Sequence, residues 1–516
     1  MTNTNHIYTI CALATIQGVS AIAVIRMSGP EAISIADSIF VAASGKKLGD
    51  CNSHTIHFGS ICDDGGNNED GISNKARTID EVFVSIFRSP RSYTGEDSIE
   101  ISCHGSVYVQ QEILMLLISN GAKLAQPGEF SKRAFMNGKM DLAQTEAVAD
   151  LICSETEASH RIALQQMRGG FSKELAQMRS SLLDLAALME LELDFSEEDV
   201  EFADRTKLNT ILTQVRGHIS KLADSFKLGN AIKNGIPVAI AGATNTGKST
   251  LLNAILGEER AIVSEIHGTT RDFIEDTLVI NGLSFRFIDT AGIRYTIEKI
   301  ELIGIERTFE KIKEASIILF ILDMERMETF KEDIGKLASK IDPDTQKVII
   351  LANKCDTLIE LIEEHSLPAP TVYGEQFDYL SAGPNQSRYY DKIVSDITED
   401  IAKIADKYRF LPAAILPISA KALIGLESIK AALSDTQKEL KTNTGTTLVS
   451  NIRHFQALKN ALAALDRLSA GLNDNVPNDL LAQELREALF HIGEIVGEVS
   501  TDEILSNIFG RFCIGK

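Results

Sequence analysis

The chain has 516 residues, 44% of them apolar and 24% charged, a balance that excludes wholesale disorder and leaves room for several cores. Its 51 basic and 72 acidic residues give a formal charge of −21, so bulk charge cannot hold it on nucleic acid or an anionic membrane, and any RNA contact needs a local basic patch. No apolar run approaches the roughly 20 residues of a membrane-spanning helix, and Met1 to Ile10 has no secretion-signal pattern. The seven cysteines are odd in number and scattered, with no Cys-x-x-Cys pair, which argues for reduced thiols in a cytoplasm.

From Ile7 to about Phe130, short β-type runs alternate with turn clusters. Ala21 to Arg26 is one run, and Glu81 to Phe87 alternates apolar and polar like a half-buried strand. Asp63 to Gly71 reads as a glycine-rich loop, and the whole stretch as a small α+β domain. From about Leu142 to Phe195 the spacing becomes helical, with Leu182, Leu185, Leu188 and Leu191 in three-residue steps.

From about Gly235 to Leu440 apolar strands alternate with helices: Ile236–Ala241, Leu283–Ile288, Ile317–Leu322, Val348–Ala352 and Ala413–Leu416. Near-continuous apolar strands of this kind indicate an α/β sheet covered on both faces. Asp276 to Ile280, Asn281-Gly282 and Leu283 onward predict a hairpin with a type I′ turn, hence one antiparallel strand. A second helical block runs from about Leu448 to Ile508. Leu458, Leu462, Leu465 and Leu468 mark one face, and Leu480, Leu481, Leu485 and Leu489 another. Either the two helical blocks pack on each other as one domain split in sequence, the economical reading, or they are unrelated hairpins.

The chemistry sits at strand ends. After the first α/β strand, Gly242-Ala-Thr-Asn245-Thr246-Gly247-Lys248-Ser249 fits G-x-x-x-x-G-K-[ST]: backbone N–H groups wrap a polyphosphate, Lys248 reaches its terminal phosphates, and Ser249 holds Mg²⁺. Phe285 to Ile288 leads into Asp289-Thr290-Ala291-Gly292, where the carboxylate can hold the Mg²⁺ shell and the Gly292 N–H can sense a γ-phosphate. Val348 to Ala352 leads into Asn353-Lys354-Cys355-Asp356, whose aspartate can accept both the ring N–H and the amine of guanine. Ser419-Ala420-Lys421 can offer the Ala420 N–H to the guanine oxygen. All of these in order, each where such sheets bind ligands, indicate a guanine-nucleotide domain. The switch segment is Ser264-Glu265-Ile266-His267-Gly268-Thr269-Thr270, with Thr270 the expected second Mg²⁺ ligand and Thr250 beside Ser249. Ile293 stands where small signalling GTPases place a water-orienting glutamine. Asn245 either binds a monovalent cation beside the phosphates or merely fits the turn.

With Ser92 to Asp97, Gln126 to Phe130, Asn137 to Gln144 and the terminal Phe512-Cys-Ile-Gly-Lys516, the chain resembles the MnmE or TrmE family of tRNA-modifying GTPases over nearly its whole length. The resemblance implies a multidomain α/β protein: an N-terminal α+β folate-binding-like domain that dimerises (1–137), and a discontinuous helical domain (138–232 and 442–516). Between the helical parts it implies an inserted Ras-like P-loop GTPase domain (233–441). It implies a K⁺ site on Asn245, Ser264, Ile266 and Thr269, and Glu301 as the catalytic residue that positions water, where the residues alone suggest a solvated helix carboxylate. It implies folate contacts at Arg26, Glu100, Lys139 and Lys516, with a 5-formyl- or methylene-tetrahydrofolate as cofactor. Cys513 is either a nucleophile or a small buried thiol.

As partners the resemblance implies GTP, tRNA, a second copy of the chain, and an FAD-dependent MnmG-type subunit in a heterotetramer, FAD being bound only by that subunit. The implied reaction adds a carboxymethylaminomethyl or aminomethyl group to C5 of a wobble uridine. The alternative is a GTP-gated ribosome assembly factor without modification chemistry. About sixty residues separate Asp356 from Ser419, long for a connection within such a sheet, and suggest an insertion at about 357–412, an inserted hairpin or helix beside the base pocket, with a helix expected from Tyr390 to Tyr408.

Overall fold

The computed structural model describes residues 8–63, 77–194, 205–257, 276–288, 313–343, 345–357, 384–436, 447–474, 476–498, 505, 508–510, 512 and 515. The chain divides into two compact units, one of residues 1–153, 163–221 and 456–516, the other of 154–162 and 222–455. Most of the expected loop from Asp63 to Gly71 lies outside the described residues.

In the first unit, β1 (Ile10–Leu13), β2 (Ile22–Ser28), β3 (Phe40–Ala42), β4 (Thr55–Asp63), β5 (Arg77–Phe87), β6 (Ser98–His104) and β7 (Lys123–Leu124) form a sheet in the order β3-β4-β5-β6-β2-β1-β7. Period-two alternation buries one face. Ala23, Ile25 and Met27 of β2, Val82, Val84 and Ile86 of β5, and Ile99 and Ile101 of β6 pack with α1 (Ala32–Ile39) and α2 (Val107–Ser119). The opposite face carries Arg26 directly across from Glu100. After α3 (Glu129–Met136), α4 (Leu142–Ile152) starts on a capping box. Asp141 accepts from the Gln144 amide while the Gln144 side chain accepts from the Asp141 amide.

Four more helices follow: α5 (Glu157–Met167), α6 (Gly170–Asp194), α7 (Arg205–Asp224) and α8 (Phe226–Asn234). Near the C-terminus lie α13 (Ile452–Asn473) and α14 (Asn478–Val496). The buried stripe of α6 is Phe171, Leu175, Met178, Leu182, Leu185 and Met189, stepping by three and four as an α-helix requires. It packs along α14, whose inward residues are Leu481, Leu485, Ala488, Ile492 and Ile495. Arg216 of α7 pairs with Asp466 of α13. Segments on either side of the nucleotide motifs thus form one discontinuous helical domain. Leu480 departs from the expected stripe: it is 53% exposed, because α14 turns it away from the Leu481–Leu485 line. The side chains of Leu188 and Leu191 lie outside the described residues.

The second unit holds β8 (Ile236–Gly242), β9 (Asp276–Ile280), β10 (Leu283–Phe287), β11 (Ile317–Asp323), β12 (Lys347–Asn353) and β13 (Ala414–Pro417), in the order β13-β12-β11-β8-β10-β9. All neighbours are parallel except β9 and β10. Their turn has positive φ at both Asn281 (51°) and Gly282 (80°), as a type I′ turn demands. Both sheet faces are covered. Val238, Ile240, Leu319 and Ile321 pack with α9 (Lys248–Gly257) and α12 (Leu426–Asp435). Ala239, Ala241, Ile318, Phe320 and Leu322 pack with α10 (Phe330–Ala338) and α11 (Pro384–Lys407).

Helix α11 falls inside the segment expected as an insertion, yet its Ile401 and Ala405 are fully buried in this core. A parallel β12–β13 pair needs a crossover, and α11 supplies it. Residues 358–383 lie outside the described residues.

Candidate guanine-nucleotide site

Every described nucleotide motif lies at a carboxyl end of the parallel strands. Strand β8 ends at Gly242, and the loop that follows turns into α9 at Lys248. Asn245 takes the left-handed conformation (φ 64°), which asparagine tolerates better than most residues, and its side chain is exposed. Thr246 is buried and its hydroxyl donates to the Ala243 carbonyl at 2.9 Å. Lys248 curls over the loop, donating from Nζ to the carbonyls of Gly242 (2.9 Å) and Ala243 (2.7 Å). Burial pushes its ammonium below the usual lysine pKa, which favours an anion beside it. Ser249 and Thr250 are exposed in the first turn of α9, where free backbone N–H groups and the helix dipole favour phosphate. The Ser249 hydroxyl is a hard oxygen donor of the kind Mg²⁺ takes.

Asn353, the last residue of β12, ties three segments together. Its Nδ2 donates to the Thr246 carbonyl at 2.7 Å, and its Oδ1 accepts from the Ala420 amide at 3.0 Å, so the N–H expected at the guanine oxygen is engaged by Asn353 instead. All three residues are 3% exposed, so these bonds are made away from water. The approach to the loop is close enough to require glycine at 247. A Cβ there would lie 2.3 Å from Asn353 Nδ2, and φ is +99°. Beyond Asn353, Lys354 sits at φ 69° and Cys355 is buried, its amide bonded to the Ile418 carbonyl at 3.0 Å. Asp356 Oδ1 is buried and has no hydrogen-bond partner. A buried carboxylate oxygen in this state costs free energy unless a ligand donates to it. Buried Ser419 accepts at Oγ from the Ala422 amide at 3.0 Å, and Lys421 is exposed.

The structure therefore brings together Asn245 to Thr250, Asn353, Lys354, Asp356 and Ser419 to Lys421. Ser264 to Thr270, Asp289 to Gly292 and Glu301 lie outside the described residues. Sequence reasoning missed two carboxylates beside the base segment. Asp323 closes β11, is 6% exposed and accepts from Lys354 Nζ at 2.8 Å, while Glu325 accepts from the same ammonium at 2.7 Å. Asp323 stands at a strand's carboxyl end like every motif singled out, and that position was the available signal.

In the first unit, Glu100 Oε1 accepts from Arg26 Nε (2.9 Å) and Nη2 (2.8 Å). The guanidinium lies over the rings of Tyr93 and Phe130. Lys139 donates to the Pro90 carbonyl at 2.9 Å, so it is tied to a loop rather than to the Arg26–Glu100 pair. Lys516 and Cys513 lie outside the described residues. Gly515 lies so close to Leu13 that a Cβ would be 2.2 Å from its carbonyl oxygen. Leu13 is one residue from Ala12, the β1 partner of Arg26. Unforeseen from sequence is Arg133, fully buried between Glu96 (3.2 Å) and Glu129 (3.0 Å), which fixes the loop behind this pair.

Among the described residues no helix is long and apolar enough to cross a membrane. Comparison with known proteins returns two family descriptions: "MnmE helical domain" over residues 142–513 and "GTP-binding protein TrmE N-terminus" over residues 9–139. The curated relatives include the tRNA modification GTPase MnmE of Parabacteroides distasonis, 48% identical over 512 residues, covering 98% of this chain and all of the relative. That of Flavobacterium johnsoniae is 48% identical, with 98% and 99% covered. Among solved structures, the FeoB G-domain from Methanococcus jannaschii is matched at a TM-score of 0.23 and 20% identity, over 39% of this chain and 98% of that one, too slight a likeness to argue from. A nucleotide cradle of this build, encoded between the two sequence segments of a split helical domain, in a chain matched from end to end at near half identity, has one reading: the chain belongs to the family of the tRNA modification GTPase MnmE.

Proposed function

We propose that this GTPase of tRNA modification is K⁺- and Mg²⁺-dependent and works with an FAD-dependent, MnmG-type subunit. Together they add a carboxymethylaminomethyl or aminomethyl group to C5 of the wobble uridine of certain tRNAs. The observation that carries the nucleotide half is the Asn353 bridge between Thr246 and Ala420, with the unpartnered Asp356 Oδ1 beside it. The bridge joins phosphate loop and base segment into one rigid cradle, and the free oxygen is what the ring N–H or amine of guanine would fill.

In this reading Ser249 and Thr270 hold Mg²⁺, which supplies charge neutralisation on the phosphates. The exposed Asn245 amide, with Ser264, Ile266 and Thr269, holds K⁺. Glu301 positions the attacking water. The N-terminal domain (1–137) dimerises and binds a tetrahydrofolate through Arg26, Glu100, Lys139 and Lys516. The partly buried Arg26–Glu100 pair over Tyr93 suits a flat, polar heterocycle, and the nearness of Gly515 to β1 supports the part given to the C-terminus. The proposed remaining boundaries are 138–232 and 442–516 for the helical parts and 233–441 for the GTPase domain.

The test is twofold. GTP hydrolysis by the full chain is expected to be slow in Na⁺ and much faster in K⁺, with Asn245→Ala abolishing the difference. Nucleoside analysis of tRNA from a deletion strain is expected to show unmodified wobble uridines. Equal rates in the two salts refute the K⁺ mechanism, and unchanged wobble uridines refute the modification role.

A further inference from the structure

Lysine rarely takes the left-handed backbone conformation, yet Lys354 does so at φ 69° in the middle of the base segment. The turn it makes lets Asn353, before it, reach the phosphate loop while Asp356, two residues on, presents its unpartnered oxygen. The Cys355 amide bond to the Ile418 carbonyl (3.0 Å) and the Thr357 hydroxyl bond to the Lys354 carbonyl (2.7 Å) hold the backbone side of this turn, and the ammonium end of Lys354 adds a second hold. Nζ donates to Asp323 Oδ2 at 2.8 Å and to Glu325 Oε2 at 2.7 Å. Asp323 is itself fixed, closing fully buried β11 and accepting the Glu325 amide on Oδ1 at 3.0 Å. Two carboxylates on one ammonium give Lys354 a rigid anchor on the neighbouring strand.

We propose that Asp323, assisted by Glu325, is a positioning residue for guanine binding. It acts through Lys354, setting the turn that aims Asp356 at the base. The inference rests on the GTPase reading. Buried Asp323 carries most of the effect; Glu325, with a side chain 47% exposed, is screened by water and carries less.

The experiment measures dissociation of fluorescent GDP from the full chain, with steady-state GTP hydrolysis alongside. Asp323→Asn keeps the oxygen that caps Glu325 and puts an amide donor in place of the oxygen that faces Lys354, so the fold is retained while the ion pair is lost. It is expected to raise the GDP off-rate about tenfold and to raise KM for GTP in step, with kcat falling less than twofold. Glu325→Gln is expected to raise the off-rate about two- to threefold. Lys354→Met is expected to match Asp323→Asn, and the double variant to be no worse than Lys354→Met alone, because both changes cut the same connection. A GDP off-rate in Asp323→Asn equal to wild type overturns the proposal, as does full additivity in the double variant. Failure of the unaltered chain to bind GDP would instead overturn the GTPase reading.

Discussion

Replacing Asn353 by alanine removes both arms of the bridge that unites the phosphate loop with the base segment. The Thr246 carbonyl loses its donor at 2.7 Å and the Ala420 amide its acceptor at 3.0 Å, in surroundings where each residue is 3% exposed. Water cannot take over without opening the site, so each orphaned group costs about 1–3 kcal/mol, and the pair about 2–6 kcal/mol together. A domain of this size is stable by about 5–15 kcal/mol, so the variant remains folded but its GTPase unit melts earlier, by on the order of 1 M urea. Nucleotide affinity falls as well, because the segments that grip phosphate and base no longer share a tether; at least a tenfold rise in the GDP Kd is expected, equivalent to about 1.4 kcal/mol. Urea denaturation followed by far-UV dichroism and calorimetric GDP titration read the two effects separately. An unfolding midpoint unchanged within error, together with unchanged GDP affinity, would refute the argument that this side chain holds the cradle together.

Asp356→Asn places an amide donor where the unpartnered carboxylate oxygen stands, so competition binding should show preference moving from guanine to xanthine nucleotides; undiminished rejection of xanthosine triphosphate would contradict the base assignment. Gly247→Ala drives a methyl to 2.3 Å from an Asn353 amide that is already bonded, at a φ of +99° that itself strains alanine by about 1–3 kcal/mol, and GDP binding by titration should be lost. Burial pushes the Cys11 thiol up to about 11 from 9.0, so its folded form holds the proton after the unfolded form has released it. The sign is that stability is fully present below pH 9 and lost as pH rises towards 11. Urea midpoints should therefore fall over that window, and fall less in Cys11→Ala.

The nucleotide motifs were legible because each is local. Glycine at 247, lysine at 248 and the Asn353–Asp356 run each do their work within a few residues of a strand end, and apolar runs of five to seven residues mark where those ends must be. The type I′ hairpin at Asn281-Gly282 was legible for the same reason, since only such a pair accepts positive φ at both turn positions. Other features depend on partners far away in the chain. That α11 is the crossover between β12 and β13 and packs into the core shows only when Ile401 and Ala405 join Phe320 and Ile350 in one cluster. That Leu480 faces outward while Leu481 is buried depends on how α14 lies along α6, because an apolar residue beside the stripe carries no mark of its own. Asp323 looks like an ordinary strand-ending carboxylate until the turn at Lys354 brings an ammonium from 31 residues away onto it. Sequence by itself determined the elements and the local chemistry, through periodicity, turn residues and phosphate-loop glycines. Tertiary structure decided which charges pair and which faces are covered, because burial and electrostatic partnership belong to groups that only the folded chain places within reach of each other.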